Sequence, residues 1–311
     1  MAGWKAGRDI SRARGNGKTK TPTLDKMIEI IELLLFGTAI GGIFALIASG
    51  FSLIFGVSRI LNFAHGVCFA VSAYSAIFLI KEFSLDVYLA SLIGIAIAVL
   101  LGLVVYAITK PVRANAVMVI IVTLAFALLV EQVILTSFGN RGMSLTPFVE
   151  GVQVIYENLR MAKMRLIAIP VAIAVLLALD LFINKSMAGK RIQAVSQDLE
   201  ASMLIGINVE WIFIITIAIS SALAGFAGIL YSQIFNIYPA MILRVLIYAF
   251  AIVILGGLGS IRGSILASFI VGYVFVATMK TLGTHWSEFV MLIVIVGILI
   301  AKPTGLFGVR E

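Results

Sequence analysis

The chain has 311 residues, 61% of them hydrophobic and only 12% charged, against roughly 25% charged in an ordinary soluble domain. A water-soluble globule is excluded, and the informative count becomes the number of bilayer crossings. Lys and Arg number 23 against 15 Asp and Glu, a net charge of +8, but the basic residues stand in short hydrophilic breaks, as the positive-inside rule distributes them, so no nucleic-acid partner is expected.

Residues 1–26 read as a basic flexible tail carrying Lys5, Arg8, Arg12, Arg14, Lys18, Lys20 and Lys26. The tail is read as a leader, a tag or a stretch ahead of a true start at Met27, and not as a signal peptide, because the apolar run that follows is too long. From 27 to 311 the chain reads as one transmembrane domain. Its apolar segments fall at 33–56, 61–80, 87–109, 115–138, 165–184, 211–232, 241–257, 264–282 and 286–301, most near the roughly 20 residues a helix needs to cross hydrocarbon. The expected fold is all-α, a polytopic bundle of about eight or nine transmembrane segments. Strands are not expected, since a barrel would show short alternating segments. Cys68 is the single cysteine, so no intrachain disulfide or thiol metal site is possible.

Small residues recur every four positions: Gly37, Gly41, Ala45 and Ser49; Ser221 and Gly225; Ala224 and Gly228; Ser264, Ser268 and Gly272. Such stripes let helices approach closely, and packing within one chain is their simplest use. Lys110 and Arg113, then Lys185, Lys190 and Arg191, then Lys302 and Arg310 place three breaks on the cytoplasmic side, with loop 139–164 outside. A spanning 61–80 puts the N-terminus outside; a re-entrant 61–80 puts it inside.

Three breaks carry chemistry. In GVSRILNFAHG, Gly56 to Gly66, the residues Arg59, Asn62 and His65 are too polar to face lipid, so this backbone must be buried in protein or line a wet cavity. His65 reads as a hydrogen-bonded helix cap, and Asn62 as the better candidate for a gate, through backbone hydrogen bonds. The passage GGIFALIASGFSLIFGVSRILNFAHG resembles the opening of the permease subunits of branched-chain amino-acid ABC importers, of the LivH/LivM type and nearer the LivH form; Asn62, Phe63, Ala64, His65 and Gly66 match that family's N-F-A-H-G motif.

The longest internal break lies within 185–210. Ser196 is expected to cap a short helix with Asp198 and Glu200 in its first turn, and Leu199, Met203 and Leu204 share one face. A short capped helix with an apolar stripe suits a groove on a cytosolic partner. Glu200, Ala201, Ser202 and Gly206 also resemble the E-A-A-x-x-x-G coupling loop of ABC importer permeases, although Ser202 replaces the third residue and the closing Leu-Pro is missing. Third, Gly256, Gly257, Gly259 and Gly263 surround Arg262, permitting a tight turn or a close helix contact. This stretch resembles the G-G-x-G-S-x-x-G turn of the same family, and KPTGLFG, Lys302 to Gly308, resembles its terminal signature. The turn also faintly echoes Gly56 to Gly66 as an internal repeat.

The resemblance implies a multi-pass permease of the cell membrane that passes branched-chain or related amino acids inward. It implies two ABC ATPase subunits, a second homologous permease or a second copy of this chain, and an extracytoplasmic solute-binding protein. No P-loop is present, so ATP and Mg would be used by the partner ATPases; no cofactor or metal is expected in this chain and no enzymatic activity. Among isolated ionisable groups, Asp180 and Glu288 read as interfacial carboxylates, while Glu131 stands between a buried structural partner and a pathway residue. An ion-coupled carrier relaying through Glu131, Asp180 or His65, or a passive channel for a small polar solute such as urea, are the alternatives.

Overall fold

In lipid a backbone must satisfy its own hydrogen bonds, so long apolar runs become helices. The computed structural model describes residues 22–156, 159–302 and 305–306. Its helices are α1 (Pro22–Ser58), α2 (His65–Phe83), α3 (Val87–Thr109), α4 (Ala116–Phe138), α5 (Lys163–Lys185), α6 (Met187–Gln197), α7 (Leu199–Leu204), α8 (Val209–Ser232), α9 (Met241–Gly256), α10 (Ile261–Thr281) and α11 (Thr284–Ala301). Among the described residues, seven are long and apolar enough to cross a membrane, α1 to α5, α8 and α10, and α9 and α11 supply shorter apolar helices. The protein is an all-α polytopic membrane protein.

Three differences from the sequence reading have physical causes. The first helix begins at Pro22, inside the stretch read as a tail, because Pro suits a first helical turn; the rest of the tail lies outside the described residues. A small antiparallel hairpin, β1 (Val152–Tyr156) with β2 (Leu159–Ala162), occupies the loop before α5. It lies outside the apolar runs, where pairing two short strands satisfies backbone groups that no helix takes up. The second segment is helical only from His65, since the preceding break is irregular.

The small-residue stripes fix the centre of the bundle. Gly41 of α1 meets Gly272 of α10 backbone to backbone, and Gly37 lies under the ring of Tyr273. Gly225 of α8 touches Ala98 of α3 and Ser72 of α2, and Gly228 lies on the carbonyl of Phe69. At such distances buried hydroxyls reach across helices: Ser72 Oγ donates to the Gly225 carbonyl at 2.8 Å and Ser220 Oγ to that of Gly50 at 2.7 Å. The stripes therefore join helices within one chain.

The ends of the bundle are chemically distinct. One gathers Arg59, Lys110, Arg113, α6, α7 and the α9–α10 turn; Glu210 there binds Lys110 Nζ at 2.7 Å and lies 3.8 Å from Arg113, and Tyr106 donates its hydroxyl proton to the same carboxylate. The opposite end carries the hairpin, the Lys280–Glu32 bridge at 2.6 Å and Arg165 over the ring of Phe36. With α1 running toward the basic end and α2 away from it, segment 61–80 leads back toward the opposite end and is helical from His65.

Candidate functional site

The break between α1 and α2 is built by Arg59, whose φ of +54 stops α1 in a left-handed conformation that non-glycine residues rarely adopt. The chain then turns back into the bundle. Asn62 Oδ1 accepts from the Ala64 N–H at 3.0 Å, an Asx turn that sets the direction of α2, and the Phe63 N–H donates to Thr123 Oγ1 of α4 at 3.2 Å. His65 is 1% exposed, its Nε2 3.1 Å from the Ile47 carbonyl and its Nδ1 3.3 Å from Ser220 Oγ. Gly50, beside this ring, stands about 12 Å from the end of α1 at 1.5 Å per residue, so α2 begins well inside the bundle. Gly66 follows because α9 crosses here: a Cβ would collide with the Ile242 carbonyl.

The segment after α5 folds as two short helices. Ser186 caps α6, its Oγ accepting from the Gly189 N–H at 2.9 Å. Ser196 does not cap α7 as expected; it lies inside α6 with its hydroxyl on the Gln193 carbonyl, and the cap is Asp198, whose Oδ1 accepts from the Ala201 N–H at 2.9 Å. The reason is register: α6 continues to Gln197, leaving Asp198 as the first extended residue. Ser202 is buried, with its hydroxyl on the Asp198 carbonyl at 2.7 Å. Gly206 has φ of +83 and completes a Schellman closure, with Ile207 N–H on the Ser202 carbonyl and Gly206 N–H on that of Met203. Glu200 and Ala201 lie in the first turn of α7, and Leu204 and Ile205 are 88% and 75% exposed at its end.

The glycine turn packs beneath both segments. Gly257 and Gly259 have φ of +102 and +81, Gly256 lies on the backbone of Gly263, and Ser260 caps α10 through the Gly263 N–H at 3.1 Å. Gly259 approaches Gly56 within van der Waals distance of a Cβ. The terminal segment folds back over this turn, Leu306 N–H donating to the Leu255 carbonyl at 2.7 Å; positions 303–304 and 307–308 of that signature lie outside the described residues. One bond links the break to the segment after α5: Arg59 donates to the Ser196 carbonyl at 2.8 Å, two residues before the Asp198 cap. The structure thus gathers Asp198, Gly206 and the glycine turn near the Arg59 end of the break, while His65 and Gly66 lie deeper, against Ser220 and Ile242.

Glu131 stays apart, on α4, with one carboxylate oxygen buried and no hydrogen-bond partner. Asp180 sits near the basic end, 3.6 Å from Arg262 and accepting from Asn184. Glu288 is not alone at an interface: it pairs with Arg244 of α9 at 3.3 Å inside a cleft toward the opposite end. Sequence reasoning passed over Arg244, although a lone arginine inside the apolar run 241–257 was the available signal.

The family model described as "Branched-chain amino acid transport system / permease component" matches residues 33–299. Similar curated proteins include the high-affinity branched-chain amino acid transport system permease protein LivH of Salmonella typhimurium, 26% identical over 302 residues, covering 92% of this chain and 98% of that protein. BraD of Pseudomonas aeruginosa, of the same description, is 26% identical with 93% and 99% covered. A probable LivH of Methanocaldococcus jannaschii is 27% identical with 89% and 93% covered. Among solved structures, PsaBC from Streptococcus pneumoniae in complex with Fab superposes with a TM-score of 0.50 at 13% identity, over 87% of this chain and 89% of that one, which is a likeness of fold alone.

Proposed function

Because the chain belongs to the branched-chain amino acid transport permease family, we propose that it is the membrane subunit of an ABC importer that carries branched-chain or closely related amino acids into the cell. Two ATPases dock on the cytoplasmic face of the assembled permease pair, one of them on α7 of this chain. A second permease subunit supplies the other half of the pathway, and an extracytoplasmic binding protein delivers the substrate. ATP and Mg belong to the ATPases.

The observation that carries this reading is α7. A six-residue helix cannot persist by propensity; it is held by an Asp198 cap and a Gly206 closure, yet it exposes Met203, Leu204 and Ile205 at the end where the basic loops gather. Burying one such leucine in a partner groove is worth about 1.5–3 kcal/mol. Closure of the ATPases would push α7, and the push would reach α6 and, through the Ser196 carbonyl and Arg59, the Asn62–His65 break, where α2 starts inside the bundle. The break and the helices around His65 then change which end of the pathway is open. Asn62 and His65 act in this scheme through backbone and hydroxyl hydrogen bonds, not as proton carriers.

The test is Leu204→Asp, together with Glu200→Arg on the same helix, in the chain expressed with its ATPases, partner permease and binding protein. Both should leave the chain inserted while copurification of the ATPases and ATP-driven uptake of radiolabelled leucine fall together. Uptake at the wild-type rate in both variants, or full transport by the lone chain without nucleotide, would refute the proposal and favour a channel or an ion-coupled carrier.

A further inference from the structure

Toward the end opposite α7, a cleft of about 780 Å³ opens between α8, α9, α10 and α11, with Arg244 and Glu288 in its wall. Its depth follows from helix geometry. Arg244 stands about 18 Å from Gly256, and Glu288 about 20 Å from Ala301, whereas Lys280 of the outer bridge stands about 28 Å from the start of α10. The pair is therefore about 8 Å further into the bundle than Lys280–Glu32. At that depth a charged pair cannot face hydrocarbon cheaply, yet both side chains remain open, 55% and 40% exposed. What faces them must be water, a polar partner surface or a ligand.

The pair is also loosely made. Its single contact is 3.3 Å, against 2.6 Å for Lys280–Glu32, and it is not the two-pronged contact that a guanidinium forms with a carboxylate at full strength. The contact uses one Arg244 nitrogen and one Glu288 oxygen, which leaves further donors on the guanidinium and acceptor positions on the carboxylate. Around them one part of the wall is aromatic and apolar, with Tyr231 and Phe235 ring to ring at 5.0 Å and Met241 and Phe275 alongside, while Asn140, Asn236 and Tyr238 line the rest. Opposite charges a few ångströms apart beside an apolar wall are complementary to a zwitterion with a hydrocarbon side chain.

We infer that this cleft is a substrate site, in which Arg244 takes the carboxylate and Glu288 the ammonium of an α-amino acid whose apolar side chain lies against Tyr231, Phe235, Met241 and Phe275. The inference rests on the transport reading above and names its recognition chemistry. The arriving amino acid replaces one loose internal ion pair with two charge-assisted ones, and its departure restores the internal pair, so neither state leaves a charge unpaired at this depth. An amine or an acid alone satisfies only one of the two.

The test uses the full chain in phosphatidylethanolamine and phosphatidylglycerol nanodiscs, with saturation-transfer NMR of L-leucine, leucinamide and 4-methylpentanoate. Wild type should bind leucine saturably in the millimolar range, with leucinamide and 4-methylpentanoate each about tenfold weaker. Arg244→Gln should bind leucine and leucinamide alike, and Glu288→Gln should bind leucine and 4-methylpentanoate alike. Arg244→Lys should keep the wild-type order, and Lys280→Gln, outside the cleft, should match wild type. Wild-type chain that binds the three alike or binds none, or variants that lose all three in parallel or retain wild-type discrimination, would overturn the inference. The parent reading fails separately: head-group discrimination in the nanodisc without ATP-driven leucine uptake by the assembled complex sinks the transport reading, while such uptake without discrimination sinks only the site.

Discussion

Gly66 is where the break and the outer cleft are mechanically joined. A Cβ at this position would overlap the Ile242 carbonyl oxygen and reach 3.4 Å from Leu246 Cβ. The obstacle is backbone, which cannot rotate away as a side-chain tip can, so Gly66→Ala must push α9 off α2. Overpacking of this kind costs about 1–3 kcal/mol. The intrinsic gain of Ala over Gly in a helix, about 1 kcal/mol, opposes it only in part. Gly297, in α11 with nothing within 4 Å of its Cβ position, is the matched control, where the same change carries the gain without the clash. Gly66→Ala should therefore lower the midpoint of thermal unfolding of the solubilised chain by a few degrees while Gly297→Ala raises or preserves it. Because Ile242 is two residues from Arg244, Gly66→Ala should also reduce leucine uptake by the assembled transporter more than Gly297→Ala does. Equal melting and equal uptake for the two variants would show that α2 and α9 do not meet as described.

Two further outcomes follow from the coupling region. Asp198→Ala removes the cap of α7, a change worth about 1 kcal/mol in a helix with little else to hold it, so ATPase copurification should fall, and Asp198→Asn, which caps equally well, should restore it; equal copurification of all three would refute the role of the cap. Arg59→Ala breaks the bond to the Ser196 carbonyl, and the expected result is an assembled complex that hydrolyses ATP at the wild-type rate but imports leucine at a small fraction of it. Retained import per ATP would show that the push reaches the break by another route.

What the sequence made legible was whatever depends on local composition. Each of the apolar segments became a helix with boundaries shifted by a few residues, because a lipid-facing backbone has no alternative to a helix over such a run. The exception is the start of α1, eleven residues earlier than expected, where Pro22 and the following polar residues form a helix that hydropathy alone does not mark. The stripes beginning at Gly37, Ser221 and Ser264 were readable as helix contacts, and the close approach of Gly41 to Gly272 is such a contact. Registers within short polar helices were not readable: Ser196 and Asp198 are both good caps, and only the packing of Ile192 and Val195, which carries α6 on to Gln197, decides between them.

Long-range pairing was beyond the sequence for a different reason. Arg244 and Glu288 are 44 residues apart on separate helices, and each by itself looks like a residue near the end of an apolar segment. Only the shortness of α9 and α11, which draws both charges inward of Lys280, turns two boundary residues into one charged site at depth. The same placement would keep the proposed docking helix and the proposed substrate cleft at opposite ends of one chain. The tightly capped α7, with its exposed leucine and isoleucine, is at the basic end, and the loosely paired arginine and glutamate are at the other. Between them lie Gly66 on Ile242 and His65 on Ser220, backbone and hydroxyl contacts that a shift of a fraction of an ångström would break. Tightly packed contacts of that kind switch between discrete arrangements instead of deforming smoothly, which is what a transporter requires if movement at its cytoplasmic helix is to open or close a cleft at the far side.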